Sequence, residues 1–172
     1  RFDKPKQSFF HFLQYWTGQA MWVSFTCIAV YVAMISQENN SLSIVSLIGL
    51  FIWVAGFVIE VVSDSQKRNF RKDLNNKGRF ISTGLWSRSR HPNYFGEITL
   101  WVGISVISLS SLSGIGYVAL ISPFFVYALL SKGSGIPLLE RSADKKWGNE
   151  TDYQEYKKDT PVLFPKLFNN IK

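Results

Sequence analysis

The sequence holds a single cysteine, Cys27, inside an apolar run. No intrachain disulfide can form, which excludes a disulfide-stapled scaffold. Only two histidines are present, His11 and His91, and neither lies in a His-x-x-x-His spacing. No metal centre is indicated. Internal repeats, low-complexity segments, Walker A loops and Gly-x-Gly-x-x-Gly motifs are all missing; Gly133-Ser134-Gly135 is too short a fragment to stand for one. A dinucleotide, if used, is not held by a Rossmann fold. Acids are scarce as well, 12 against 19 Lys and Arg, for a net charge of +7.

What the chain does have is apolar and aromatic mass. Hydrophobic residues make up 47% and aromatics 16%, including 14 Phe and 6 Trp. Four apolar runs, at about residues 19–36, 42–62, 98–112 and 115–130, approach the ~20 residues that cross a bilayer. Residues 8–18, rich in Phe, Tyr and Trp, suit the headgroup zone. Buried helices of a soluble bundle would each carry a polar stripe; the runs at 20–36 and 44–59 have almost none. At 172 residues one domain is expected. The reading is an all-α, polytopic integral membrane helix bundle.

The cations set its orientation. Lys and Arg stand at 1, 4 and 6, eight times between 67 and 90, and eight times from 132 onward. The loops 37–43 and 111–114 carry none. By the positive-inside rule the N-terminus, a loop over 63–97 and a tail over 131–172 are cytoplasmic. The membrane is a bacterial inner membrane or the endoplasmic reticulum. The positive charge is thus chiefly a topology signal, and nucleic acid is not an expected partner.

Polar residues with positional meaning cluster on that side. Glu60, Asp64, Arg68 and Arg71 are four, four and three apart and share one helix face. An acid at a span centre costs about 2.5–3.5 kcal/mol, falling towards the interface. Two acids alone would be satisfied by neighbouring arginines. Four polar residues in register, feeding a basic loop, point to a site. Gly84–Glu97 then packs Arg88, Arg90, His91, Pro92, Asn93 and Glu97 into one turn and helix entry. Pro92 fits a first helical turn, and Asn93 and Glu97, at i and i+4, face the same way. A lone instance of any of these merely decorates a helix start; the combination at a membrane boundary reads as functional. In the tail, Leu138–Trp147 carries Glu140, Arg141 and Asp144, and Tyr153–Lys158 forms a second short helix ending at Pro161. Blandly this is a solvated tail with aromatic anchors; it is also long enough to fold back over a ligand in a cytoplasmic pocket.

Ser89-Arg90-His91-Pro92-Asn93-Tyr94-Phe95-Gly96-Glu97 resembles the signature of membrane proteins grouped with the steroid 5-alpha-reductases. Delta-14 sterol reductases and isoprenylcysteine carboxyl methyltransferases share the wider pattern. The resemblance runs from about Phe9 to Pro165. It implies NADPH as cofactor and reduction of a carbon–carbon double bond in a lipid- or steroid-like enone. Transferred residue by residue, it implies cofactor contacts at Asp64, Arg68, Arg71, Arg79, Arg90, His91, Asn93, Tyr94 and Glu97, and from the tail at Glu140, Arg141, Tyr153 and Tyr156. Asn93, Gly96-Glu97 and the Gln66–Arg71 stretch resemble the reductases. Tyr153–Pro161 resembles the methyltransferases nearly as well, so S-adenosylmethionine-dependent methyl transfer to a lipid-borne acceptor is the alternative. A non-catalytic membrane scaffold binding a ligand is the third reading. Membrane lipid and a hydrophobic small molecule are the expected partners. In the reductases, the tyrosine and glutamate that polarise the substrate ketone lie in the first membrane helices, which would precede Arg1. The chain is therefore expected to lack N-terminal helices, and no residue is assigned as proton donor.

Overall fold

The structure is a computed structural model that describes residues 9–35, 43–133 and 135–166. The polar loop at 37–41 lies outside the described residues. Among the described residues seven α-helices follow one another: α1 Phe9–Thr26, α2 Ile28–Ile35, α3 Ile44–Lys72, α4 Pro92–Ser108, α5 Ser122–Ala128, α6 Ile136–Trp147 and α7 Thr151–Asp159. No strand occurs among the described residues. Among the described residues three helical stretches, Ile44–Lys72, Pro92–Ser111 and Gly114–Trp147, are long and apolar enough to cross a membrane. The chain is an all-α membrane helix bundle. The first apolar run is divided between α1 and α2 by a bend at Cys27, and residues 9–16 of the aromatic segment that precedes it form the exposed opening turns of α1.

Helix α3 starts where Ser43 accepts a hydrogen bond from the Ser46 amide at 3.1 Å, satisfying one of the helix's free N–H groups. Its last turn carries Arg71 and Lys72, favourable at the negative end of the helix dipole. Pro92 opens α4, where its missing N–H costs nothing.

The bundle is organised by α3 against α4. Gly49 and Gly56 on α3 meet Gly103 and Gly96 on α4, each pair spaced seven residues along its helix. A Cβ on Gly103 would lie 2.5 Å from the Trp53 amide, and one on Gly49 2.6 Å from the Ile107 amide. Without a hydrophobic effect to drive helices together in lipid, such close backbone approach supplies the dispersion contacts. Ser63 continues the α3 row, fully buried, and the hydroxyls of Ser46 and Ser110 meet at 3.1 Å at the far end. Small residues also join the remaining helices. Ala29, Leu112 and Ala119 form a buried cluster, and Ser122 donates to the Thr26 carbonyl.

The fourth apolar run is not one regular helix. It is a 3-10 segment over Gly114–Ile121, then α5, then a π turn over Leu129–Gly133 that leads towards α6. Pro123 sits in the first turn of α5, where it cannot continue an α-helical ladder from the preceding segment.

Candidate functional site

The loop between α3 and α4 is held by hydrogen bonds to elements far away in sequence. Gly84 takes a left-handed φ of +62°, a conformation glycine adopts without strain. There the Leu85 amide donates to Gln66 Oε1 at 3.0 Å. Trp86 is buried; its Nε1 donates to the Ser63 carbonyl at 3.0 Å, and its own carbonyl accepts from the Tyr156 hydroxyl at 2.7 Å. Ser89, fully buried, donates to the Leu163 carbonyl at 2.8 Å and accepts from the His91 amide at 3.2 Å. The Arg90 amide donates to the Pro161 carbonyl and the Lys166 amide to the Arg88 carbonyl, at 2.9 and 3.0 Å. The segment 161–166 is thus a strap across residues 88–90.

Beneath α6 and α7 this arrangement encloses a cavity of about 330 Å³. One wall is aromatic: Phe80 lies 5.2 Å from Tyr153 and 5.3 Å from Tyr156 between ring centres, with Trp147 at 6.0 Å. The polar wall carries Lys67, Arg71, Arg79, Arg90 and Lys146 around one acid, Glu140. Glu140 is committed to protein groups. Its Oε1 is 2.8 Å from His91 Nε2 and its Oε2 is 3.2 Å from Arg90 Nη1. Among the described residues, Lys67, Arg71, Arg79 and Lys146 have no carboxylate partner within ion-pair distance. Lys67 instead sits 4.5 Å over the Trp86 ring, and Lys146 4.3 Å over Trp147. An adjoining open cleft of about 490 Å³, lined by Asp64, Lys67, Arg68, Arg71 and Lys72, shares Lys67 and Arg71 with the cavity. Cations without a carboxylate within ion-pair distance, set around an aromatic recess, have the chemistry to take up an anion and to stack on a flat ring.

The family model described as "Protein of unknown function (DUF1295)" matches residues 2–160. The chain belongs to this steroid 5-alpha-reductase-like family. Among its relatives is "3-oxo-5-alpha-steroid 4-dehydrogenase 1" of Macaca fascicularis, 31% identical over 122 residues, 71% of this chain and 41% of the relative. "Steroid 5-alpha-reductase DET2" of Arabidopsis thaliana is 30% identical over 124 residues, 71% of this chain and 42% of the relative. "Probable O-methyltransferase ustE" of Ustilaginoidea virens is 33% identical over 98 residues, 57% of this chain and 32% of the relative. The chain spans about two-fifths of the length of the reductase relatives it matches. No solved structure matches it.

In this DUF1295 chain the thirteen residues expected to meet a cofactor fall into three groups and one outlier. Arg71, Arg79, Arg90, His91, Glu140, Tyr153 and Tyr156 line the cavity. Asp64 and Arg68 line the adjoining cleft, with Arg71 common to both. Asn93, Tyr94 and Glu97 are half-buried on the first turns of α4 and line neither space. Tyr94 stacks on His91 with ring centres 5.7 Å apart, and Glu97 lies within electrostatic reach of Glu60 and Asp64. Arg141 is the outlier, exposed on α6 and lining neither space. Burial, reinforced by Glu140 and Asp144, pushes the Tyr153 phenol up to about 12. The Tyr156 phenol is also pushed up, chiefly by burial. Both present neutral hydroxyls at neutral pH.

Lys67, Phe80, Trp86 and Trp147 were absent from the expected set. Lys67 had a signal: it stands four residues before Arg71, on the same helix face. The aromatics had none, because only the tertiary fold brings 80, 86 and 147 together.

Proposed function

We propose that the protein is an NADPH-dependent reductase of a carbon–carbon double bond in a lipid- or steroid-like enone, working at the cytoplasmic face of its membrane. The observation that carries this reading is a set of cations, Lys67, Arg71, Arg79 and Lys146, that have no ion-pair partner among the described residues and stand around an aromatic-walled cavity. Relatives named as a 3-oxo-5-alpha-steroid 4-dehydrogenase and a steroid 5-alpha-reductase support the reaction class.

The residues present fit a phosphate-bearing cofactor. Charge-assisted hydrogen bonds are worth about 1.5–3 kcal/mol each, and among the described residues four of the cavity's cations, Lys67, Arg71, Arg79 and Lys146, have no carboxylate within ion-pair distance. A cationic cofactor such as S-adenosylmethionine has less use for them. When bound, NADPH supplies a hydride. Lys67, Arg71 and Arg79 hold phosphate oxygens in this reading, with Asp64 and Arg68 at the outer cleft. Glu140 keeps Arg90 and His91 oriented. Phe80, Trp147, Tyr153 and Tyr156 exclude water and offer flat surfaces to a ring. Asn93 and Glu97 offer hydrogen bonds to an amide or ribose, beside the Tyr94 ring. A hydrophobic substrate reaches the site from the apolar flanks of α3 and α4.

Methyl transfer from S-adenosylmethionine is the second reading, favoured by the similarity to a protein named as an O-methyltransferase. Thermal-shift titration of the purified protein separates the two. A ligand at a hundredfold its dissociation constant stabilises by about 2.7 kcal/mol. NADPH is expected to raise the unfolding midpoint and S-adenosylmethionine to leave it unchanged. Stabilisation by S-adenosylmethionine alone would sink the reductase reading, and no response to either ligand would favour a non-catalytic scaffold.

A further inference from the structure

Arg90 and His91 both border the cavity, and they share one acid. Glu140 Oε1 stands 2.8 Å from His91 Nε2, and Glu140 Oε2 3.2 Å from Arg90 Nη1. A carboxylate can only accept, so His91 Nε2 carries a proton. Two nitrogens are left over. Arg90 Nε and His91 Nδ1 are each buried with no hydrogen-bond partner among the described residues. Arg90 Nε is always a donor. His91 Nδ1 holds a lone pair when the ring is neutral and an N–H when it is charged. Buried polar atoms are nearly always paired, so two orphans on neighbouring residues of a cavity wall call for a ligand atom.

Charge decides which form His91 takes. Glu140 is the one acid among the described residues that border the cavity, and Arg90 already balances it. Tyr94 of α4 stacks on the His91 ring, and Tyr153 and Tyr156 of α7 border the same space; phenols are uncharged near neutral pH. Lys157 of α7 gives its carbonyl to Arg90 Nη1 at 3.5 Å and its ammonium to Asp144 at 2.6 Å. Lys67, Arg71, Arg79 and Lys146 add four cations with no carboxylate within ion-pair distance among the described residues. A proton on His91 would therefore put another positive charge into a wall that is already positive, on a side chain 7% exposed, which is unfavourable. An anionic oxygen reverses this. It brings the missing negative charge and an acceptor for the free nitrogens.

We propose that a phosphate group docks against Arg90 and His91, and that His91 takes up a proton at Nδ1 as it docks. The proton comes from solvent, and no other bond is made or broken. The inference rests on the reading of the cavity as the seat of a phosphate-bearing cofactor and adds that the cofactor arrives with a proton. Its affinity then falls as pH rises.

Only two histidines are present, His11 and His91, so nitrogen-15 labelling of histidine gives a direct test. His11→Gln leaves a single imidazole in the spectrum of the whole protein in detergent. At about pH 7.5 the free protein should show one protonated and one lone-pair ring nitrogen, the neutral form. Saturation with NADPH, and separately with inorganic pyrophosphate, should protonate both. By calorimetry, NADPH affinity should fall by up to about tenfold per pH unit above neutrality, and His91→Gln should flatten that fall. A lone-pair nitrogen that persists with NADPH bound would overturn the proposal and leave the cofactor reading standing. A ring already doubly protonated in the free protein would overturn it too. Proton uptake with pyrophosphate, but no binding of NADPH, would uphold the proposal and sink the cofactor reading. Binding of neither ligand would end both.

Discussion

Gly56 of α3 and Gly96 of α4 meet backbone to backbone. A Cβ on Gly96 would stand 2.8 Å from the Gly56 carbonyl oxygen and 2.7 Å from the Glu60 amide nitrogen. Neither neighbour is a flexible side chain, so the helices themselves must part. Gly96→Ala and Gly56→Ala are each expected to cost about 2 kcal/mol, within the usual range for overpacking. Gly18→Ala is the control: a Cβ there meets nothing within 4 Å, and the better helix propensity of alanine should leave stability unchanged or slightly higher. Equilibrium unfolding in detergent measures all three. An unmoved midpoint for Gly96→Ala would show that the contact is not tight.

Glu140 is expected to act on the site through Arg90 and His91, whose side chains are only 10% and 7% exposed. Glu140→Ala removes the carboxylate from both, leaving Arg90 Nη1 only the Lys157 carbonyl at 3.5 Å, and should cost about 1–3 kcal/mol. Glu140→Gln keeps one acceptor oxygen and should lose about half as much. If the two variants unfold alike, the carboxylate oxygens are not what holds the pair.

Much of this architecture was legible in the sequence, and the reasons are specific. Long apolar runs and confined cations are one-dimensional signals, so α3 and α4 could be anticipated with their polar ends. Ser89–Glu97 announced a loop and a helix start rich in polar side chains, and α4 begins there at Pro92. Three-dimensional pairing was not legible. Glu140 looked available to a ligand because nothing local shows that two side chains 49 and 50 residues away consume both its oxygens. Arg141, its neighbour, turns outward because successive helix positions differ by about 100°. The seven-residue glycine rows at 49, 56, 96 and 103 were readable in principle. Their meaning required knowing that α3 pairs with α4.

Alkaline pH should destabilise the fold through Tyr153. Its phenol ionises at about 12 in the folded chain, against about 10 for a free tyrosine. Below about pH 10 both states hold the proton and stability is fully present. As pH rises from there, the unfolded chain releases the proton first, and stability is lost until the folded phenol ionises as well. Unfolding midpoints followed from pH 9 to 12 should fall along this window. Tyr153→Phe should flatten the fall relative to the wild type. A profile unchanged by the substitution would remove Tyr153 as its cause.

Arg71 and Arg141 should separate in ligand titrations. Arg71 borders both the cavity and the cleft, and Arg71→Ala is expected to weaken NADPH by ten- to a hundredfold, the equivalent of roughly 1.5–3 kcal/mol for one charge-assisted bond. A smaller loss for NADH would place Arg71 at the 2′-phosphate; an equal loss would place it at the pyrophosphate. Arg141→Ala should leave both affinities unchanged. Calorimetry reads each, and a large effect at Arg141 would put α6 in a different orientation towards the ligand.

The strap formed by 161–166 across 88–90 also sets an order of events during synthesis. Arg88, Ser89 and Arg90 leave the ribosome some seventy residues before the backbone groups that hold them. Until Pro161, Leu163 and Lys166 arrive, Ser89, the Arg90 amide and the Arg88 carbonyl lack these partners. The helix pair α3–α4 can insert and lock early through its glycines. The contacts of the strap can only be made afterwards, so the α3–α4 pair and the fastening of residues 88–90 belong to two separate steps on one chain.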